Sequence, residues 1–367
     1  MTLQTLWNKH RSGWTLNPLQ LRFIACGVFL FAVCIAGCGQ GFSLEQEKQQ
    51  IKKINGVNLE APRRETDESW TRPLINMNAG WVSLIPYGYF DFGDTGVNYN
   101  TSPNSRGFWG ERPEGVRANA LQARAAGLKV MLKPHLWSRG GWVGDFRFEN
   151  EADWKTWEIN YRKYILVQLE IARECDVDLF CIGTELRHSF NERPQFWREL
   201  ICEIRAEYDG PLTIASNWDN FQNVSFWDAL DYIGIDSYFP LSEEIEPATS
   251  TLIQRWKPIK NRLRVFSEQW NKPILFTEFG WLAVDQNTWN HWEKEGRNLN
   301  AHALNLNAQS NAFDAAFRTL WQEKWFAGGF IWEWNTNHER AGGLNDKDFT
   351  PQNKPAEQVI RQYYGQY

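Results

Sequence analysis

The segment PILFTEFGW, residues 273–281, places an apolar run directly before a carboxylate. Residues 273–276 have the composition of a buried strand, and Glu278 follows at the point where such a strand would end. Burying a carboxylate costs several kcal/mol unless the group is paired. The segment therefore predicts a parallel strand that ends in a functional or ion-paired glutamate.

Similar apolar runs recur along the chain. The candidate strands are 53–60, 80–90, 129–135, 179–185, 212–218, 232–239, 273–280 and 328–335. Helical spacing of apolar residues marks 113–127, 153–175, 196–208, 252–270, 311–325 and 356–364, and Pro258 is expected to kink or interrupt the fourth of these. This alternation is typical of a parallel sheet covered by helices. Eight units favour a single α/β domain, a (β/α)8 TIM barrel over residues 53–367, although an open doubly wound sheet also fits.

Polar and aromatic residues concentrate at the carboxyl ends of these strands, where such barrels carry their active sites. In chain order they are Asn58, Glu60, His135, Trp137, Thr184, Glu185, Asn217, Trp218, Asp236, Tyr238, Glu278, Trp332 and Trp334. Alternation along a strand would place Glu278 on one face with Ile274 and Phe276, and Glu185 on one face with Cys181 and Gly183. We expect both glutamates to enter the barrel mouth from opposite walls, an arrangement suited to glycoside hydrolysis.

Several motifs resemble those of glycoside hydrolase family 113, which belongs to clan A. They are KPHLW (133–137), IGTELRHS (182–189), SNWDN (216–220), IGIDSYFPL (233–241), TEFG (277–280) and GGFIWEWN (328–335), and the resemblance spans roughly residues 54–335. It implies a retaining β-mannanase or β-mannosidase that acts on β-1,4-linked mannan or mannooligosaccharides. It also implies that Glu278 is the nucleophile and Glu185 the general acid and base. Most families of the clan have Asn before the acid/base; Thr184 stands there in this chain, so the contact to the sugar 2-hydroxyl is in doubt, with Asn217 as a candidate substitute.

The two glutamates need different environments for these roles. An ionised Glu278 requires hydrogen-bond donors, and Tyr238 from the neighbouring strand is the expected one. Burial and nearby negative charge should raise the pKa of Glu185 so that it holds a proton. A carboxyl separation of about 5–5.5 Å would predict retention of configuration. Taken singly, each glutamate would also suit a strand-end salt bridge with an arginine or lysine of the barrel rim.

Other strand-end residues are candidate sugar contacts. Trp332 matches the platform beneath the reacting sugar in the clan, and Glu333 should point away from the mouth. Flat rings that could stack on a pyranose are also offered by Trp137, Trp218 and Trp281.

Three polar candidates keep alternative interpretations. His135 could bond a substrate hydroxyl or be a buried histidine satisfied by the backbone. Glu60 could contact a hydroxyl or pair with Arg63 and Arg64, which follow closely. Asp236 could contact the substrate or act as a structural acceptor.

The amino terminus has the features of an export signal. Three basic residues precede a 15-residue apolar stretch, Phe23–Gly37, which is shorter than the roughly 20 residues of a membrane-spanning helix. Residues 35–38 resemble a bacterial lipobox, so residues 1–37 are expected to be a lipoprotein signal peptide, Cys38 the lipidated residue and 38–52 a polar spacer. An uncleaved anchor is the alternative. The expected location is the outer membrane, on its periplasmic or cell-surface side.

Charge and composition limit the partners. Without residues 1–37 the chain has 44 acidic and 36 basic residues, a net charge of −8, which argues against nucleic acid. We expect a monomer that binds a β-linked, mannan-type glycan and contacts a membrane only through its lipid. The histidines show no zinc spacing, so no metal or cofactor is predicted. One disulfide among Cys175, Cys181 and Cys202 is possible, and the sequence does not decide whether it forms.

Two other functions fit the same residues. One is a retaining clan A β-glycosidase with a different β-linked substrate, since gluco- and manno-configured rings differ at one hydroxyl. The other is a surface glycan-binding lipoprotein without activity.

Overall fold

The computed structural model describes residues 52–101, 107–290, 293–294 and 296–367. The expected signal peptide, Cys38 and all but the last residue of the expected spacer lie outside these residues. Within them, no helix combines the length and apolar character needed to cross a membrane. The three cysteines of this part of the chain are free, so the disulfide that the sequence left open does not form among them.

Strands and helices alternate along the described chain. In chain order the strands are β1 (Ile54–Leu59), β2 (Trp81–Leu84), β3 (Tyr87–Phe90), β4 (Asn98–Tyr99), β5 (Lys129–Leu132), β6 (His135–Ser138), β7 (Leu179–Thr184), β8 (Leu212–Asn217), β9 (Ile233–Asp236), β10 (Ile274–Phe279) and β11 (Phe326–Trp334). The helices are α1 (Thr71–Asn76), α2 (Pro113–Ala125), α3 (Glu151–Glu174), α4 (Arg187–Glu192), α5 (Pro194–Arg205), α6 (Thr249–Trp270), α7 (Leu306–Leu320) and α8 (Pro355–Tyr364).

Eight parallel strands close into a barrel, which confirms the predicted (β/α)8 fold. Their order around the ring is β1, β11, β10, β9, β8, β7, β5 and β2, and β2 pairs with β1 to close it. Two apolar layers stabilise the ring. A small cluster including Met131, Leu179 and Leu275 fills the interior, and a much larger one lies between the strands and the helices.

Two predicted strands are each divided in the structure. The segments 80–90 and 129–135 leave the barrel near Pro86 and Pro134, since proline has no N–H to donate to a ladder. Beyond the prolines the chain forms a separate sheet with the strand order β4, β3, β6, in which Tyr87 pairs with His135. This small sheet extends past the carboxyl ends of β2 and β5.

The predicted interruption at Pro258 does not occur, because α6 runs from Thr249 to Trp270 with Pro258 inside it. Pro258 lies on the exposed face of the helix, and so does Gln254, whose carbonyl loses its usual donor. Water can therefore satisfy that carbonyl, which explains why the helix continues.

Candidate active site

A cavity of about 730 Å³ opens at the carboxyl ends of the barrel strands. It brings together eight of the ten predicted catalytic and sugar-contact residues, from seven different strands and loops. They are His135, Trp137, Glu185, Asn217, Trp218, Tyr238, Glu278 and Trp332. The convergence follows from barrel closure, because strands far apart in sequence then share one mouth.

Two predicted sugar contacts lie elsewhere. The prediction for Trp281 is wrong: its ring is buried and packs edge-on against Phe313 of α7, with centroids 5.1 Å apart. The reason is that the chain turns toward the helical layer after Glu278, so that Phe279 also packs against α7. Glu60 lines a second, smaller cavity that adjoins the main one.

Glu278 enters the cavity through a β-bulge and not through regular alternation. Leu275 faces the barrel interior, whereas Phe276 packs outward against Trp256 and Phe326. The expectation that Phe276 and Glu278 share a face is therefore wrong. The pairing of β10 with β9 shifts register between Phe276 and Glu278, and such a bulge re-aims the side chain that follows it.

Glu185 depends on a second irregular strand end. The pairing of β7 with β8 shifts register between Cys181 and Thr184, and Gly183 faces outward, since a Cβ there would lie 2.8 Å from the ring of Trp197. Glu185 itself has a φ of 57°, a left-handed conformation that is uncommon outside glycine. β7 and β10 are also not directly opposite, because two strands separate them on one side and four on the other.

A buried ion network holds the Glu278 carboxylate. The Tyr238 hydroxyl donates a hydrogen bond to Oε2 over 2.8 Å, which confirms the expected donor, and the Lys133 ammonium donates to Oε1. Lys133 also lies 3.3 Å from Oδ1 of Asp236, which accepts a hydrogen bond of 2.7 Å from Thr277. Asp236 is thus a structural acceptor, the second of its two interpretations. Lys133 and Asp236 are fully buried, so their opposite charges compensate each other.

Burial and charge set the ionisation of these groups. Burial, followed by the charge of Asp236, raises the pKa of Glu278 to about 7, against the opposing effects of Lys133 and Tyr238. Burial alone would lower the pKa of Lys133, but the Asp236 and Glu278 charges outweigh it and leave that pKa raised. Lys133 therefore stays protonated and can stabilise an ionised Glu278.

Glu185 has a different set of neighbours. The Trp142 indole donates a hydrogen bond of 2.6 Å to its Oε2. Burial and the charges of Asp236 and Glu278 raise the pKa of Glu185 well above its ordinary value, against the opposing effects of Trp142 and Lys133. As pH rises, we therefore expect Glu278 to ionise before Glu185. Two carboxyl groups in one cavity are thus suited to opposite protonation states.

Aromatic rings form the floor beside this pair. Trp332 stacks on His135 with centroids 5.8 Å apart and an interplanar angle of 16°. His135 lies with Nε2 3.5 Å from Oε1 of Glu278. Burial, followed by the Lys133 charge, lowers the pKa of His135 well below its ordinary value, so the ring is neutral.

The two polar residues considered for the contact with the sugar 2-hydroxyl bond to the protein backbone. Thr184 donates its hydroxyl to the Pro134 carbonyl over 3.2 Å, and Asn217 accepts from the Trp218 N–H.

Sequence reasoning assigned no role to Lys133 and did not predict the contact of Trp142 with Glu185. Lys133 could have been found, because it follows the inward-facing Met131 by two residues and so lies on the same side of the strand. Trp142 belongs to the loop between β6 and α3, where no periodicity indicates a direction. Among the described residues, no group of three or more His, Cys, Asp or Glu side chains is arranged to hold a metal ion.

Comparisons with known proteins match this chain to one family and to solved structures of the same fold. The model of Glycoside Hydrolase Family 113 matches residues 63–354. The chain is 28% identical to the family 113 β-mannanase AaManA from Alicyclobacillus acidocaldarius, solved in complex with ManMIm, with a TM-score of 0.73 over 85% of this chain and 97% of that one. It is 26% identical to a second family 113 β-1,4-mannanase, also solved as a complex, with a TM-score of 0.72 over 86% and 99% of the two chains.

More distant matches carry less information. A β-glucuronidase from Ruminococcus gnavus is 11% identical, with a TM-score of 0.57 over 85% of this chain and 50% of that one, which shows a shared fold alone. A search of curated protein sequences finds no match.

Proposed function

The chain belongs to glycoside hydrolase family 113, and we propose that it hydrolyses β-1,4-mannosidic bonds in mannan or mannooligosaccharides with retention of configuration. The observation that carries the proposal is the pair Glu185 and Glu278, which line one cavity and are expected to ionise in different pH ranges. Two similar structures, each described as a β-mannanase of this family, support the choice of mannan.

In the first step of the proposed reaction, Glu278 attacks the anomeric carbon of a bound mannose unit. The bond from that carbon to the glycosidic oxygen breaks, a glycosyl ester forms, and Glu185 gives its proton to the departing oxygen. Tyr238 and Lys133 hold the Glu278 carboxylate in place before the attack. Ester formation removes the Glu278 charge, which is one cause of the raised pKa of Glu185, so Glu185 loses its proton more readily as the reaction needs it to.

In the second step, water replaces the leaving sugar. Glu185, now a carboxylate, takes a proton from the water while the water oxygen attacks the anomeric carbon. The ester bond breaks, Glu278 regains its charge beside Lys133, and Glu185 is again protonated. Two inversions at one carbon give net retention.

The charge of the cavity favours a neutral sugar over a uronic acid. Among the described residues that line it, Arg187 alone carries a permanent positive charge, and both oxygens of Asp219 accept hydrogen bonds from it at 2.9 and 2.8 Å. A sugar carboxylate would instead approach Glu278, Asp145 and Asp219. The fold that this chain shares with β-glucuronidases therefore does not imply that it binds glucuronides.

Reducing-sugar release from β-mannan, cellulose, xylan and galactan tests the substrate. We expect release from mannan and loss of it in Glu278→Gln. Proton NMR of the first-formed product tests the stereochemistry, and a β-anomer is expected; an α-anomer would rule out retention. Glycan binding without turnover would favour the non-catalytic binding protein.

We also propose that Cys38 carries a lipid that tethers the enzyme to a membrane. Support comes from the lipobox-like run at 35–38 and the short apolar stretch before it. In a Gram-negative host, the wild-type protein should sediment with membranes, whereas Cys38→Ala should stay an uncleaved precursor without incorporated palmitate. Equal palmitate labelling of both forms would contradict the proposal.

A further inference from the structure

A chain of side-chain contacts leads to Glu185, the proposed general acid. The Trp142 indole donates its hydrogen bond of 2.6 Å to Oε2 of Glu185, and the Arg187 guanidinium lies 4.7 Å from the centre of the Trp142 ring. The same guanidinium donates hydrogen bonds to both carboxylate oxygens of Asp219, over 2.9 and 2.8 Å. These four residues line one cavity but come from three separate segments, which follow β6, β7 and β8.

Trp142 needs support from outside its own segment because of its place in the chain. It belongs to the loop between β6 and α3, so no strand pairing fixes the direction of its side chain. A side chain in a loop has several staggered rotamers available, and for an indole these aim the N–H in different directions. The contacts of the ring therefore decide whether its N–H reaches Glu185.

Gly144 provides one of these contacts from the same loop. A Cβ at Gly144 would lie 2.1, 2.2 and 2.5 Å from three atoms of the six-membered ring of Trp142. The indole therefore lies directly against the Gly144 backbone, and any larger residue at this position would push the ring away.

Arg187 provides the other contact, from a segment that also carries Glu185. Arg187 is the first residue of α4, and its N–H donates a hydrogen bond of 2.9 Å to the Glu185 carbonyl. Its guanidinium lies over the Trp142 ring, an arrangement in which the cation and the ring attract each other. Asp219 restricts the guanidinium through two charge-assisted hydrogen bonds, so the cation is itself held in place.

The charges around Glu185 indicate that Arg187 acts through the Trp142 ring. The charged side chains that line this cavity or act on the pKa of Glu185 are Lys133, Asp145, Arg187, Asp219, Asp236 and Glu278. The neutral His135 and the Tyr238 hydroxyl contact Glu278. Because Arg187 and Asp219 lie at hydrogen-bond distance from each other, their opposite charges largely cancel at Glu185.

We propose that Arg187 is a positioning residue that, together with Gly144, holds the Trp142 indole N–H on Glu185 and so orients the general acid; this inference rests on the proposed function. The indole hydrogen bond favours the charged carboxylate, so displacement of the ring should raise the pKa of Glu185. The alkaline limb of the pH–activity profile then moves to higher pH.

Two single variants test this positioning. Arg187→Ala removes the cation from the ring, and Gly144→Ala displaces the ring without changing any charge. In both, the alkaline limb of kcat/KM on a mannooligosaccharide should move up by roughly one pH unit, the size expected for one hydrogen bond to a charged group. The acid limb should stay in place. An alkaline limb at the wild-type pH in either variant would overturn the inference.

A double variant separates positioning from a direct effect of the Arg187 charge. In a Trp142→Phe background there is no indole N–H to aim, so Arg187→Ala should add no further shift of the alkaline limb. An equal shift in both backgrounds would overturn the inference, because it would show that the charge acts on Glu185 directly. Any weaker substrate binding lowers the whole profile and leaves the position of its limbs unchanged.

The chain offers a matched control for each substitution. Arg198 donates to both oxygens of Asp228 over 2.9 and 2.7 Å, and it does not line the cavity. A Cβ at Gly80 would meet nothing within 4 Å. Arg198→Ala and Gly80→Ala should therefore keep the wild-type profile, and a shift of the alkaline limb in them equal to that in the test variants would overturn the inference.

Tryptophan-selective indole NMR tests the contact without turnover. Loss of one signal in Trp142→Phe identifies the indole proton of Trp142, which should lie downfield because it is hydrogen-bonded to a carboxylate. Arg187→Ala and Gly144→Ala should move this signal upfield, and an unchanged signal in both would overturn the inference. A wild-type protein that cleaves no mannan would instead count against the proposed function, since this measurement needs no substrate.

Discussion

Lys133 links the protonation of the site to its structure. It is fully buried, it contacts both Asp236 and Glu278, and its ammonium is the positive charge that most directly favours an ionised Glu278. A lone buried cation would be very unfavourable, so the Asp236 carboxylate is needed to keep Lys133 charged. The salt bridge between Asp236 and Lys133 thus stabilises the one between Lys133 and Glu278. Lys133, to which sequence reasoning assigned no role, favours the charged form of Glu278, which it predicted as the nucleophile.

Replacing Lys133 should therefore move the acid limb of the pH–activity profile. Lys133→Met removes a positive charge that lowers the pKa of Glu278, so that pKa rises and activity is lost at a higher pH than in the wild type. The pH dependence of kcat/KM on a mannooligosaccharide measures this. Because Lys133→Met leaves Asp236 unpaired, the double variant Lys133→Met/Asp236→Asn is compared with Asp236→Asn alone, so that the loss of the Asp236 charge is common to both. An acid limb that does not move between the wild type and Lys133→Met, nor between Asp236→Asn and the double variant, would contradict this role of Lys133.

Trp142 should affect the opposite limb. Its indole hydrogen bond to Glu185 favours the charged carboxylate and so lowers the pKa of Glu185. Trp142→Phe keeps an aromatic ring but removes the donor, so the pKa of Glu185 should rise and the alkaline limb should move to higher pH, with the acid limb in place. Movement of the acid limb alone would show that the indole acts on Glu278 instead.

At the scale of elements, the eight barrel strands and the closed barrel were predictable, while the exact aim of the catalytic side chains was not. Apolar runs and helical spacing identify strands and helices because both depend on burial, which leaves a local pattern. The bulges in β7 and β10 depend on register against β8 and β9, and a single strand's sequence does not encode it. Alternation therefore predicted correctly that Glu185 and Glu278 enter the cavity, although bulges and not regular alternation place them there. It did not indicate that Trp281 would be buried.

The bulge in β7 makes Gly183 sensitive to substitution. A methyl group there would lie 2.8 Å from the ring of Trp197, which is buried and donates its indole N–H to Ser189. Overpacking of this kind costs about 1–3 kcal/mol, so Gly183→Ala should lower both the free energy of unfolding and kcat by displacing Glu185. Gly80→Ala is the matched control, because its added methyl group would meet nothing within 4 Å.

A double variant tests this packing argument directly. Trp197→Phe removes ring atoms from the side that Gly183→Ala would crowd, so the two changes together should destabilise less than their sum. Urea unfolding of the four proteins gives the coupling. Strict additivity would show that the Gly183 effect does not come from Trp197.

At the scale of the whole molecule, the charged interior of the barrel reduces the stability of the fold. Apolar residues fill the lower part of the ring, and above them Lys133, Asp236 and Glu278 occupy space that hydrophobic residues would fill at lower cost. The closed ring of hydrogen bonds and the large outer core hold these groups together despite that cost. Active sites commonly reduce the stability of the protein that carries them.

The buried Glu185 should also make the stability of the wild-type protein depend on pH. The pKa of Glu185 is raised in the folded protein, so the folded state binds its proton more tightly than the unfolded state does. Stability is therefore fully retained below the unfolded pKa of about 4.3 and falls as pH rises from there through the folded pKa. Glu185→Gln, which keeps an acceptor for the Trp142 indole but cannot ionise, should melt at the same temperature as the wild type near pH 4 and a few degrees higher at pH 8. Calorimetric melting across this range measures the difference, with Glu339→Gln as an exposed control that should show none. A Tm gap between Glu185→Gln and the wild type that stays constant from pH 4 to pH 8 would mean that Glu185 is not protonated preferentially by folding, and its assignment as the general acid would fail with it.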